Sequence, residues 1–241
     1  VISIWINLGT AFQQDKQIDK AKTAYEKALA INPKSAEIST NLGAIAKDIG
    51  DWISALQHYE NALEINPNIA KSYFNLSLAL QELGRLKEAE VSYRQAIVLK
   101  PDFAKAHRNL GTMLQKLGRI DEAEASYRQA IAFKPDYTEA HSNLLECLYL
   151  LDKQSLFFDK LDYLINEDTA NAAIGSLTCR SALKYGVEKP NLFCREPLKY
   201  VLHIDMNTQY DFEEIFAEKA RLILNENRIS NRKQSLLVNG Y

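Results

Sequence analysis

The sequence predicts an all-α solenoid of stacked helix pairs, and three registers with one spacing predict it. Asn-Leu pairs recur every 34 residues, at 7–8, 41–42, 75–76, 109–110 and 143–144. A proline preceded by Asn or Lys keeps the same spacing, at Pro33, Pro67, Pro101 and Pro135. Small residues and a tyrosine recur in phase with both. A fixed period of this length indicates supersecondary units that bury their apolar faces against their neighbours.

Taking Ile2 as position 1 divides the chain into four regular units and a degenerate fifth. The units are 2–35, 36–69, 70–103, 104–137 and 138–166, and a capping or linker segment covers 167–241. Small residues at three positions allow close helix crossings, and one tyrosine per unit fills the core. Position 8 is Gly9, Gly43, Ser77 and Gly111; position 20 is Ala21, Ala55, Ala89 and Ala123; position 24 is Tyr25, Tyr59, Tyr93 and Tyr127; position 27 is Ala28, Ala62, Ala96 and Ala130.

The ends of the helices are also marked. The proline at position 32 of each unit cannot continue a helix, so it ends the second one. Gly50, Gly84 and Gly118 lie between the two helices of a unit, where a C-cap favours a left-handed residue. Each unit is therefore predicted to be helix, short turn, helix.

This pattern resembles the tetratricopeptide-repeat family over residues 2–137, which implies a right-handed superhelix that binds protein or peptide partners. The pentatricopeptide family, which binds single-stranded RNA, is the alternative, but it usually repeats every 35 residues and lacks this set of small residues, tyrosine and proline. The fifth unit departs from the pattern, with Leu145 and Phe157 at two of the small positions and no proline after Ile165. We interpret it as a terminal unit that packs on something other than a further repeat.

The first helix of each unit is expected to line the concave side, with positions 2, 5, 6, 9, 12 and 13 inward. Position 6 is asparagine in every unit, and an asparagine amide can pair with both the N–H and the C=O of a peptide. The row resembles the asparagine ladder in the repeats of O-GlcNAc transferase, which implies binding of extended peptides. The alternative is that these side chains only bond to a neighbouring helix. The row is Asn7, Asn41, Asn75, Asn109 and Asn143.

Beside this row, Phe74, Leu78 and Arg108 have the composition of a binding hot spot. The predicted partner site comprises Asn41, Phe74, Asn75, Leu78, Arg108 and Asn109, with Arg108 placed near Phe74 and the asparagines facing solvent. The alternative for Phe74 is that it packs between helices. The chaperone-binding members of the family use a clamp of lysines and asparagines, and Ile6 and Thr10 stand at two of its positions. Docking of chaperone C-termini is therefore not expected.

Composition points to a cytoplasmic protein without membrane or nucleic-acid partners. The net charge is −2, 46% of residues are apolar, and no stretch reaches the length of a membrane span. Cys147, Cys179 and Cys194 lack metal-ligand spacing and fit a reducing compartment. The chain starts inside a repeat, so we expect a piece of a longer protein that carries no signal peptide here. We also expect that it needs no cofactor and is not an enzyme.

The remaining third loses the period. Thr169 is expected to cap a helix that runs to about Lys184 and stops at Gly186, and Asp211 to cap a second helix. An irregular segment lies between them, and 228–235 is polar. Residues 176–198 and the closing 236–241 resemble the region that joins tetratricopeptide repeats to a 2-oxoglutarate/iron(II) oxygenase domain in marine cyanobacterial proteins. The resemblance implies an alternative function, the non-catalytic, substrate-selecting front of such an enzyme.

An iron site within this chain is not expected. Such oxygenases bind iron through His-x-Asp/Glu and a distant second histidine. His203 and Asp205 supply the first part, but no histidine follows them. The function that the sequence favours is a scaffold that binds a peptide or protein in the concave groove.

Overall fold

The structure, a computed structural model, describes residues 1–167, 172–187 and 189, which form eleven α-helices and no strand. They succeed one another along the chain with short connections. The all-α solenoid predicted from the sequence is confirmed. The helices are α1 Ile2–Gln14, α2 Ile18–Ile31, α3 Ala36–Asp48, α4 Trp52–Ile65, α5 Ala70–Glu82, α6 Leu86–Leu99, α7 Ala104–Lys116, α8 Ile120–Phe133, α9 Thr138–Leu150, α10 Gln154–Asn166 and α11 Ala172–Tyr185.

The turn inside each unit has a left-handed residue at the same place. Gly50, Gly84 and Gly118 have φ of +79°, +75° and +76°, as the sequence predicts. Units one and five place Lys16 and Asp152 at the equivalent positions with φ of 60° and 56°. A non-glycine residue there is strained by its Cβ. Helix pairing therefore imposes the same turn whether or not glycine is present.

The crossing of the paired helices depends on small residues, as predicted. Ala55, Ala89 and Ala123 have no solvent exposure. A Cβ built on Gly43 would come within 2.5 Å of the Tyr59 ring, so the glycine leaves room for the tyrosine that fills the core. The four tyrosines of the regular units are among the largest fully buried side chains of the described residues.

The fifth unit fills its core differently. Leu145 and Phe157 replace small residues, while Leu161 and Leu164 occupy the positions of the tyrosine and of the second alanine. All four are at most 1% exposed. Large side chains at the crossing keep helices apart, and α9 and α10 approach each other less closely than the paired helices of the first four units do. The fifth unit departs from the repeat pattern in sequence, but its two helices still enclose a buried core.

Helix α11 covers the fifth unit. Its Ile174 and Leu177 belong to the same core cluster as Phe157, and Tyr185 stacks edge-on against Phe158 with 5.7 Å between ring centroids. The prediction of a helix that stops at Gly186 is confirmed, because α11 ends at Tyr185 and Gly186 has φ of +68°. The division of the chain at 166/167 stays a prediction.

Ion pairs tie consecutive units together, each joining the residue directly before one second helix to the second helix of the preceding unit. Arg119 approaches Glu90 at 2.8 Å, and at the equivalent place Lys153 approaches Glu124 at 2.7 Å. Burial opposes ionisation of Glu124, but the hydrogen bonds from Lys153 and Arg128 outweigh it and hold the pKa of its carboxyl below the ordinary value. The stability that this pair contributes at neutral pH is therefore lost as the pH falls through the lowered pKa.

Several predictions for the C-terminal third lie outside the described residues. They are the Thr169 cap, the segment around Pro190, the position of Cys194, the His203 and Asp205 pair, the helix capped by Asp211, and the polar stretch 228–235.

Candidate functional site

The candidate site is the inner face, which we define as positions 2, 5, 6, 9, 12 and 13 of the first helix of each unit. Both edges of this face are exposed in all five units, and the centre is half-buried in most. The face therefore forms a continuous strip with solvent-accessible edges and a recessed middle. The exposed edges are Ser3, Glu37, Lys71, Lys105 and Glu139 at position 2, and Gln14, Asp48, Glu82, Lys116 and Leu150 at position 13.

The asparagines of position 6 differ in their surroundings. Asn7 is exposed, and Asn41 is half-buried with no side-chain hydrogen bond inside the described residues. Asn143 donates to Thr112 Oγ1 of the preceding unit across 3.5 Å. Asn143 therefore contacts a neighbouring helix, as the alternative interpretation expects, whereas peptide binding by Asn41 stays a prediction.

The expectation that the asparagines face solvent is wrong for Asn75, which is 7% exposed. Asn109 is half-buried and occupied: its Oδ1 accepts from Arg108 Nη1 at 3.1 Å, and it lies close enough to the Tyr93 hydroxyl to lower that group's pKa. Burial is the larger influence and raises the pKa of Tyr93 to about 12. The cause of the error is that position 6 lies at different depths in different units, from exposed Asn7 to buried Asn75.

Phe74 lies in an aromatic cluster. Its ring centroid is 4.9 Å from that of Phe103 and 6.0 Å from that of Tyr93, both in other helices or connections. Phe74 and Leu78 are partly buried against the main core. This favours packing as one role of Phe74, while the exposed remainder of both side chains belongs to the inner face.

The sequence did not lead us to expect that hydroxyls of the core tyrosines contact residues of the inner face. The hydroxyl of Tyr127 lies within hydrogen-bond distance of Gln115 Oε1 at 3.0 Å and of Thr112 Oγ1 at 3.2 Å, and its one proton can be donated to either of these residues of the inner face. Tyr59 has no such partner, and its hydroxyl is buried without a hydrogen bond. The signal was present in the sequence, because position 12 is glutamine in units one, three and four and Lys47 in unit two. Threonine and glutamine at positions 9 and 12 therefore serve the core as well as the groove.

Family comparisons agree with this geometry. Two family models described as tetratricopeptide repeat match the chain, one over residues 34–102 and the other over 2–35 and 104–137. Together these matches cover more than half of the chain. The chain belongs to the tetratricopeptide-repeat family. No curated protein matches it in sequence.

Solved structures share the tetratricopeptide fold at low identity. PilF of Pseudomonas aeruginosa is 18% identical with a TM-score of 0.69, and the match covers 98% of this chain and 96% of PilF. A MamA protein is 21% identical with a TM-score of 0.58, over 78% of this chain and 97% of MamA. YrrB, described as a TPR protein with an unusual peptide-binding site, is 19% identical with a TM-score of 0.59, over 70% of this chain and 88% of YrrB.

Tetratricopeptide proteins are generally non-catalytic interaction scaffolds, and the family assignment supports that role here. Two histidines of the repeats have structural partners: Nε2 of His107 and of His141 lies 2.8 Å and 2.7 Å from the carbonyl oxygens of Pro101 and Pro135. Within the described part of the chain, no cluster of His, Cys, Asp or Glu could hold a metal ion. No helix described there has the length and apolar character of a membrane span. The oxygenase resemblance stays a hypothesis.

Proposed function

We propose that this protein is an interaction scaffold whose inner face binds an extended peptide along units two to four. The observation that carries the proposal is the row of asparagines at position 6, and Asn41 in particular. Its amide is half-buried on the inner face and makes no hydrogen bond within the described residues. An amide in that state offers two donors and an acceptor to a peptide backbone.

The rest of the face supports the same proposal. Leu78 and Phe74 present partly exposed apolar surface one turn apart on α5. The exposed rows at positions 2 and 13 leave the strip open along both edges. Hydrogen bonds from the asparagine amides to a peptide backbone give an affinity that depends little on the peptide's side chains. Phe74 and Leu78 add a preference for apolar side chains. The site proposed from the sequence is thus Asn41, Phe74, Asn75, Leu78, Arg108 and Asn109, with Asn75 reassigned to a mainly structural role.

The proposal is tested by replacing Asn41 and Asn109 together with alanine and measuring binding to an array of random-sequence peptides without charged side chains. Loss of the pair at Asn41 and of the bond that the Asn109 amide nitrogen can still donate, at about 0.5–1.5 kcal/mol per bond, corresponds to at least about a tenfold loss of affinity. We expect the double variant to bind at least tenfold more weakly than the unaltered protein to the peptides that the unaltered protein binds.

Two controls separate binding from folding. Asn7→Ala changes an exposed asparagine of the same row outside units two to four, and we expect it to leave binding unchanged. Asn75→Ala removes a buried amide and should lower the melting temperature measured by circular dichroism. Unchanged affinity of the Asn41/Asn109 double variant contradicts the ladder. A fall in its melting temperature that accounts for the affinity loss shows instead that these asparagines are structural.

A further inference from the structure

Among the four regular units, all of which the structure describes, unit two alone has a core tyrosine whose hydroxyl lacks a hydrogen-bond partner. In the other three, the hydroxyl lies 3.0–3.5 Å from the amide oxygen of the glutamine at position 12 of its own unit. Tyr59 has no solvent exposure, so its hydroxyl is a buried donor without an acceptor, which is destabilising. The pairs in the other units are Tyr25 with Gln13, Tyr93 with Gln81 and Tyr127 with Gln115.

Two side chains of unit two explain the missing partner. Position 12 is Lys47, whose ammonium can only donate and binds Asp48 instead. Position 9 is Ala44, whereas units one and four have a threonine there that lies near the tyrosine hydroxyl. Burial, and to a lesser extent the charge of Asp48, raise the pKa of Tyr59, so the hydroxyl keeps its proton at neutral pH. What unit two lacks is an acceptor for that proton.

The glutamines of units one and four are also bound at their other end by the following unit. Gln13 Nε2 donates to Asp48 at 3.0 Å, and Gln115 Nε2 donates to Glu146 at 2.9 Å. A carboxylate accepts only from the amide nitrogen, which leaves the amide oxygen for the tyrosine. Asp48 is at position 13 of unit two, and position 13 of unit three is the exposed Glu82. Unit two and its neighbour therefore supply both ends of a carboxamide site, a hydroxyl and a carboxylate, without the carboxamide.

We propose that unit two is a subsite for a glutamine side chain of the bound peptide, whose amide oxygen accepts from Tyr59 and whose amide nitrogen donates to Glu82. The proposal rests on the proposed function, since it names a side chain that the same groove selects. The ligand side chain repeats the bonds that the glutamines of units one and four make within the protein. Asn41, half-buried on the same helix one turn before Ala44, is placed to bind the backbone of that peptide residue.

The ligand reaches the hydroxyl by moving Lys47 aside. The Tyr59 hydroxyl is covered in the free protein. Lys47 stands at position 12, which contacts the hydroxyl in the other three regular units, and Ala44 is smaller than the threonines at position 9. A lysine has a flexible four-carbon stem, which can shift while its ammonium stays with Asp48 at the exposed edge of the face. Glutamine in place of Lys47 would instead close the subsite from within the protein.

The test starts from the tightest-binding neutral peptide of the array, acetylated and amidated at its ends. Glutamine is placed at each position of this peptide in turn, with methionine and glutamate at the same position as matched forms. Methionine has a similar length but no amide, and glutamate has the same shape but a charge that Glu82 repels. At one position the glutamine form should bind the unaltered protein about tenfold more tightly than the methionine form, and the glutamate form should not.

Three variants assign this preference to unit two. Tyr59→Phe should bind the glutamine and methionine forms alike, and its melting temperature should not fall because no hydrogen bond is lost. Lys47→Gln should also lose the preference, and its melting temperature should rise because the protein then supplies the missing acceptor. The control, Tyr25→Phe, removes a bonded hydroxyl in unit one, so it should lower the melting temperature and leave the preference intact.

Three results would overturn the subsite but not the groove. The first is glutamine that binds no better than methionine at any position, and the second is a preference that survives Tyr59→Phe or Lys47→Gln. The third is a melting temperature that falls as far for Tyr59→Phe as for Tyr25→Phe, because the Tyr59 hydroxyl would then already be satisfied by ordered water. Absence of binding of every peptide form overturns both proposals.

Discussion

Replacing Phe157 with alanine is expected to lower the free energy of unfolding by about 3–5 kcal/mol. The side chain has no solvent exposure and is ringed by Tyr149, Phe158 and Tyr185 at centroid distances of 6.0, 5.3 and 6.1 Å. In the regular units this position is alanine, and the helices approach closely around it. The fifth unit holds its helices apart around the phenylalanine, so its removal leaves a cavity that the neighbouring rings fill only in part.

The measurement is urea denaturation of the variant and of a matched control, Leu156→Ala. Leu156 is the preceding residue of the same helix and is 47% exposed, so its truncation should cost less than about 1 kcal/mol. Equal losses for Phe157→Ala and Leu156→Ala would mean that the fifth unit does not depend on the packing described here.

The second large effect is expected from overpacking a regular crossing. Ala89 is completely buried where α6 crosses α5, in the core cluster that contains Tyr93. Leucine at this position has no free volume to enter, so Ala89→Leu should lower the free energy of unfolding by roughly 1–3 kcal/mol.

Val91→Leu provides the control, because Val91 lies on the same helix and is 68% exposed. That change should stay within about 0.5 kcal/mol of the unaltered protein. If Ala89→Leu and the control unfold at the same urea concentration, the register of the repeats assigned here is wrong.

The repeats were predictable because each signal in the sequence acts locally. Pro33 and its equivalents end a helix through their own backbone, and Ala89 and its equivalents mark a crossing through their own size. Turn geometry was predictable only where glycine marks it. Lys16 takes the same left-handed backbone without any signal in its side chain, because the helices on either side fix it, whereas Asp152 belongs to a residue type that adopts this conformation more readily.

The candidate site was less predictable because its side chains depend on neighbours from other units. Asn41 and Asn75 occupy the same position, yet one is half-buried with a free amide and the other is 7% exposed. The pairing of Arg108 with Asn109, and the unpaired state of its Nε, follow from contacts that no spacing rule specifies. A repeat register predicts which residues share a face, but not how deeply each one lies in it.

The most direct test of the central claim is to locate a bound peptide on the protein by photocrosslinking. A photoreactive phenylalanine analogue is placed at Leu78, on the inner face of α5, and in a separate protein at Val91, on the exposed surface of α6. Each protein is mixed with the tightest-binding neutral peptide of the array and irradiated. We expect a crosslink from position 78 and none from position 91. A crosslink from position 91 with none from position 78 would contradict binding in the groove.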